Sequence, residues 1–343
     1  MENTYISLLL IISLIACQRN AKSVHFTGVE IEELYTDSLS IRAIELTNSN
    51  LFFAANKGVY GYVDLTSDAV TTNVLKYDSF LPEFRSVGHT TNNLFMMSVA
   101  NPALLYKIDG TGEPVLVYEE HDSLVFYDAM KFWNDNEGIA IGDNMNGCLS
   151  IITTRDGGHS WDKMSCSDLP ASAEGEGAFA ASNTNISIIH DHTWIATSTS
   201  RIYYSPDKGS NWEVYQTPIV NNKSTQGIYS IDFYNENIGV AIGGDYTSPE
   251  DKHSNKAITL DGGRNWKLIA DKLEPNYKSC VQFVPASGGQ GLVAVGFTGI
   301  SYSGDQGKSW QQLSEESFYT IRFLTDTLAY AAGRERIVKL RFY

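Results

Sequence analysis

Ser303-Gly304-Asp305-Gln306-Gly307-Lys308-Ser309-Trp310 decides the fold, because three earlier stretches repeat its pattern. They are Thr154-Arg155-Asp156-Gly157-Gly158-His159-Ser160-Trp161, Ser205-Pro206-Asp207-Lys208-Gly209-Ser210-Asn211-Trp212 and Thr259-Leu260-Asp261-Gly262-Gly263-Arg264-Asn265-Trp266. Each reads hydroxyl, any residue, Asp, any residue, Gly, two polar residues, Trp. The chemistry suits a tight β-hairpin. The carboxylates of Asp156, Asp207, Asp261 and Asp305 can accept the turn's own amide hydrogens, and a Gly supplies the positive φ of the reversal. Trp161, Trp212, Trp266 and Trp310 then cover the turn from the returning strand. These residues are expected to be structural, so a function must be sought elsewhere.

A second pattern surrounds the hairpins: an apolar strand, a polar turn, then a strand of small apolar residues. Tyr229–Phe233 with Gly239–Gly243 is the clearest copy, joined by Ala129–Phe132 with Gly138–Gly142, Cys280–Phe283 with Leu292–Gly296, and Tyr319–Phe323 with Leu328–Gly333. Fainter copies are Ile41–Leu46 with Leu51–Ala55, Arg85–Val87 with Leu94–Ser98, and Phe179–Ser182 with Thr193–Thr197. The spacing, roughly 40 to 52 residues, suits a four-stranded propeller blade. Val63-Asp64 to Asp68 and Ile108–Gly112 read as hairpins that lack the Trp. The last unit supplies three strands and ends, while Val24–Tyr35 is an apolar-rich segment with no strands before it. The expectation is an all-β, seven-bladed propeller over 24–343, closed by the N-terminal strand completing the last blade.

Composition bounds what such a body can meet. The 343 residues carry 25 Lys+Arg against 40 Asp+Glu, a net charge of −15, which argues against nucleic acid and against electrostatic docking on anionic lipid. Tyr5–Ala16 is an apolar run too short to span a bilayer. Its end, Leu14-Ile15-Ala16-Cys17, resembles the bacterial lipobox. That resemblance implies a signal over 1–16, a lipidated Cys17 as the only membrane contact and a tether over 17–23. Gln18 after the cysteine implies the outer membrane of a bacterial envelope. An exported chain permits disulfides, and Cys148 and Cys166 flank Gly157 symmetrically. They form either a cross-strand bond or two buried thiols, and Cys280 reads as a core residue.

The hairpins resemble the Asp-box, or bacterial neuraminidase repeat. Loops alternate between the two faces of a propeller, and the face opposite the hairpins holds the long insertions Asp245–Lys256, Pro170–Gly177 and Thr217–Gly227, so function is expected there. There the first strands begin, and aligning them places Arg42, Arg85, Asp128, Tyr229 and Tyr319 at equivalent positions, with Glu174 and Glu176 just before the fourth. Such a ring suits an anionic ligand or a partner peptide, or else its members are solvated rim residues paired with one another. The resemblance to sialidases raises a glycoside hydrolase acting through Asp128, Glu176 and Tyr319. However, Ile41-Arg42-Ala43-Ile44 lacks the Phe-Arg-Ile-Pro motif of that family, and Arg322 is three residues from the mouth. No Gly-x-Gly-x-x-Gly follows a strand, no phosphate loop occurs, and the histidines have no metal spacing. Neither cofactor nor metal is expected.

Over nearly the whole mature chain the sequence is similar to the propeller family of photosystem II stability and assembly factors. The small-residue second strands carry that resemblance, with the arginines of Ile41-Arg42-Ala43 and Phe84-Arg85-Ser86. It implies an assembly scaffold whose arginine-bearing face meets its partner. With no complete catalytic set in the sequence, the expectation is a non-catalytic monomer whose loop face binds a protein or a glycan.

Overall fold

The structure is a computed structural model and describes residues 25–343. The expected signal, Cys17 and the tether lie outside the described residues. The described chain is built from antiparallel strands, with one short 3-10 turn at Cys166–Asp168 and no α-helix. Five sheets have four strands each, and a sixth has seven. The larger one exists because Val29–Leu46 is shared. Its first half pairs with Arg334–Phe342, from Val29 opposite Phe342 to Ser40 opposite Arg334. Its second half pairs with Asn50–Ala55.

The hairpins form as their chemistry requires. In the last one, Ser303 Oγ accepts the Gly307 N–H at 2.8 Å and donates to Asp305 Oδ1 at 2.8 Å. Asp305 Oδ1 also accepts the Ser309 N–H at 2.9 Å, and Trp310 Nε1 donates to Gly307 O at 2.9 Å. Gly307 has φ +79°, the left-handed region a side chain disfavours. The turns at Asp207 and Asp261 repeat every bond. At Asp156 the carboxylate bonds recur, but Trp161 Nε1 is buried without a partner. Asp64 and Asp109 hold the two Trp-less turns in the same way.

Adjacent sheets are joined by more than apolar packing. The first strands are Ile41–Leu46 within the shared strand, Phe84–His89, Tyr127–Phe132, Ile186–Ile189, Gln226–Phe233, Cys280–Phe283 and Thr320–Phe323. Each lies beside the next, and the last lies beside the first. A polar side chain on one reaches the main chain of its neighbour. Ser187 Oγ accepts the Phe233 N–H at 3.2 Å, Asp232 Oδ2 that of Phe283 at 2.7 Å, and Gln282 Oε1 that of Phe323 at 3.2 Å. Small second-strand residues, among them Ala140, Ala241, Ala294 and Ala331, are fully buried where the sheets stack.

One expectation fails. Phe179–Ser182 is not the first strand of the fourth unit. That strand is Ile186–Ile189, which turns at His190-Asp191 and pairs with His192–Ala196, His190 taking φ 53°. Residues 181–184 instead run where the first strands converge. Thr320 Oγ1 donates to Ser182 O at 3.0 Å, and Ser182 Oγ donates to Ser279 O at 2.7 Å. Asn183 Nδ2 donates to Val87 O at 2.8 Å, while Asn183 Oδ1 accepts the Met130 N–H at 3.1 Å. The Ile231 N–H reaches Thr184 O at 2.9 Å. Arg322, ion-paired with Glu45 at 3.3 Å, donates to Asn183 O at 3.3 Å. A buried apolar run can serve a strand or a packed loop, and periodicity alone does not separate them.

Asn183→Ala leaves the Met130 N–H and the Val87 carbonyl without partners. It should destabilise the fold by about 2 kcal/mol, read as a lower urea midpoint at unchanged slope.

Candidate ligand-binding site

Above the central segment lies a cavity of about 430 Å³. Its position follows from a repeated irregularity of the first strands. The register shifts between Ile41 and Ala43, Phe84 and Ser86, Tyr127 and Ala129, and Ile228 and Ser230. Arg42, Arg85, Asp128 and Tyr229 are therefore the residues left out of pairing. A bulge re-aims a side chain, and here Arg42, Arg85 and Tyr229 face the cavity together with Tyr319.

The cavity has unlike sides. Phe179, Ala180 and Ala181 contribute the plugging segment, and Phe179 stacks on Tyr229 at 3.8 Å with rings 1° from parallel. Tyr277 meets Tyr229 edge-on at 4.9 Å and stacks with Phe297 at 4.8 Å. Phe297 and Tyr246 are partly solvent-facing, 39% and 48% exposed. Burial pushes the Tyr229 and Tyr277 hydroxyls well above the usual phenol range, so both stay neutral. Arg42, Arg85 and Asp143 supply the polar lining.

Arg42 is the unusual cation. Its guanidinium carbon lies 3.9 Å over the Tyr319 ring, Nη1 reaches Ala181 O at only 3.4 Å, and Nε is buried without a partner. Burial, and next Arg85, lower its pKa. It makes no ion pair among the described residues, whereas Arg85 is paired with Glu83. More deeply buried cations are satisfied: Lys256 Nζ bonds Asn255 Oδ1, Leu273 O and Pro275 O at 2.7–3.1 Å, and Lys339 pairs with Asp68. A desolvated guanidinium beside a second one, with no counter-ion, is arranged to receive an anion.

The remaining expected residues go elsewhere. Asp128 is fully buried, and neither of its oxygens completes a hydrogen bond. Glu174 is exposed and does not line the cavity. Glu176 is buried and fully occupied. Its oxygens accept from Thr197 and Thr199 at 2.7 Å, the Ala173 N–H at 2.7 Å, Tyr203 at 3.0 Å and Arg201 Nε at 3.0 Å. Asp128, Glu176 and Tyr319 are thus not brought together around one space. The Arg201 ion pair locks Glu176 into holding the loop before the plug, which corrects the expectation that it faces a ligand. Arg322 points into packing. Cys148 and Cys166 are disulfide-bonded with Cα atoms 5.5 Å apart, and Cys280 is buried and free.

Sequence reading missed Tyr277, Phe297, Tyr246 and Asp143. Tyr277 and Phe297 flank the sixth unit's strands, where aligning first strands finds only Ser279. Asp143 lies within the strand Gly138–Met145, where the register shifts between Gly142 and Asn144 and leaves it out of pairing. Among the described residues, no group of three His, Cys, Asp or Glu is placed to hold a metal ion.

These sheets, arrayed around converging first strands, make the chain a β-propeller. The solved structures similar to it bear this out. "YCF48 bound to D1 peptide" superposes with a TM-score of 0.66 at 15% identity, covering 93% of this chain and 98% of that one. YCF48 from Cyanidioschyzon merolae gives 0.62 at 12%, covering 92% and 99%. "Crystal structure of WD40 beta propeller domain of Doa1" gives 0.60 at 10%, covering 92% and 97%. At these identities the likeness is one of fold. No family model matches the sequence, and no curated protein matches it.

Glu176→Gln keeps the shape but breaks a buried ion pair, so it should cost about 3 kcal/mol in chemical denaturation. Burial raises the Glu176 carboxyl, but hydrogen bonds from Arg201 and Thr199 outweigh it and hold the pKa below the usual value of 4.5. Its contribution is therefore present above that value and lost as pH falls through the folded pKa. The gap between wild type and Glu176→Gln should narrow as the pH falls below 4.5.

Proposed function

We propose that this chain is a non-catalytic binding propeller that seats an extended segment of a partner protein in the cavity bearing Arg42 and Arg85. The carrying observation is the half-buried Arg42 guanidinium, its Nε buried without a partner and no counter-ion beside it, set among Tyr229, Tyr277, Phe297 and Tyr319. A half-open pocket with one cationic side and one aromatic side recognises an anionic group next to an apolar or aromatic one. A structural neighbour holds a peptide, according to its description, which supports a peptide as ligand here. Counting the shared strand Val29–Leu46 once for each half, we read seven blades, with the N-terminal segment closing the last. The lipobox resemblance at Cys17 completes the proposal: an envelope lipoprotein, tethered at its N-terminus, that holds a partner during assembly.

A displayed library of linear peptides should yield binders that carry Asp or Glu beside an aromatic residue. Joint Arg42→Ala and Arg85→Ala substitution should weaken them at least tenfold, about 1.4 kcal/mol or more, in fluorescence anisotropy. Unchanged affinity would remove the cavity from the proposal.

A further inference from the structure

Asp143 in the cavity's polar lining and the buried Asp128 form a pair of carboxyl groups that the anion site does not require. Asp128 and Asp143 come from neighbouring strands of the third sheet, Tyr127–Phe132 and Gly138–Met145. Asp143 lines the cavity and accepts the Ala178 N–H at 3.0 Å, at the start of the plugging segment. Gly177 is pressed against it: a Cβ there would lie 1.8 Å from Asp143 Oδ1. Asp128 is 0% exposed. The N–H groups of Ala178 and Ala180 lie in its direction, yet both of its oxygens lack a hydrogen-bond partner.

An ionised carboxylate in such surroundings is costly, and two of them together are costlier still. The charged groups nearby do not relieve it. Arg85 is the cation facing Asp128, and it is committed to Glu83. Glu176, one residue before Gly177, is spent on Arg201. Arg42 faces Tyr319 and Ala181. Tyr229 and Tyr277 stay neutral. We infer that Asp128 and Asp143 form a proton-linked pair that makes anion binding at Arg42 and Arg85 depend on pH, the cavity taking up a proton at Asp143 as it receives the anion. This rests on the anion-accepting reading of the cavity and adds its regulation.

The direction follows from electrostatics. Burial raises the Asp143 carboxyl to about 6, and burial together with Asp143 raises Asp128 well above the carboxylate range. Burial and the Asp143 charge therefore favour the protonated form of Asp128, while Asp143 changes charge near pH 6. Above that pH its negative charge opposes an arriving anion; below it the opposition is gone. An anion bound nearby raises the Asp143 pKa further, so binding draws in a proton.

The test uses 3-phenylpropane-1-sulfonate, an aromatic anion that stays ionised throughout, titrated calorimetrically into the full chain from pH 5 to 8. Expected are a dissociation constant roughly tenfold lower at pH 5 than at pH 8, and net proton uptake near pH 6.5, seen by comparing buffers of different ionisation enthalpy. Asp143→Asn should bind as tightly at pH 8 as wild type does at pH 5, with no proton uptake. Binding that is equally tight at all pH values in the wild type, or an identical pH dependence in Asp143→Asn, overturns the proton linkage and leaves the anion site standing. No binding at any pH, by wild type or by Asp143→Asn, overturns both. Should Asp143→Asn fold poorly, the carboxyl carbon shift of Asp143 in wild-type protein decides: a midpoint near 6 that rises on adding the probe supports the linkage, and one that does not move refutes it.

Discussion

The structure depends on how residues 181–184 satisfy the polar groups at the axis. Where several first strands converge, their inner edges leave amide and carbonyl groups facing a space too narrow for bulk water. Burying such groups unpaired costs about 1–3 kcal/mol each. Ser182, Asn183 and Thr184 answer this with main chain and side chain at once, reaching Val87, Met130, Ile231, Ser279 and Thr320. Asn183 suits the position because it tolerates φ 58° and carries both a donor and an acceptor. The cavity exists as a result. Without a plug at the axis, the ring of Arg42, Arg85, Tyr229 and Tyr319 would surround an opening; with it, they surround a pocket in which desolvation strengthens every charge.

Much of the architecture was legible because its determinants are local. An Asp that accepts amides three and four residues on, and a Trp that donates to its own turn's Gly, leave a fixed-spacing signature. So do strand pairs with small second members, since the close stacking of sheets selects Ala and Gly there. The bulges were visible indirectly: aligning first strands placed Arg42, Arg85, Asp128 and Tyr229 at one level, and the structure finds each at a register shift.

The unread part depends on partners distant in sequence. Phe179–Ser182 has the apolar profile of a strand, and only its remote hydrogen bonds reveal a plug. Glu176 looks available until Arg201, on another strand, is found holding it. Asp128 shares a bulge with the arginines yet ends up beneath the cavity, because the plug and Asp143 close over it. The aromatic side escaped notice because Tyr277 and Phe297 lie in segments before and after strands, where side-chain period carries no information.

The plug also constrains how the chain reaches this state. Its anchors extend from Val87 to Arg322, so the axis cannot be filled until most of the polypeptide has been made and gathered. Each hairpin can form early from its own neighbours, but the centre condenses only when both halves of the sequence are present. That is a high-contact-order arrangement of the kind that folds slowly. A chain emerging from the ribosome would hold its sheets as loosely associated pieces and gain rigidity in one late step.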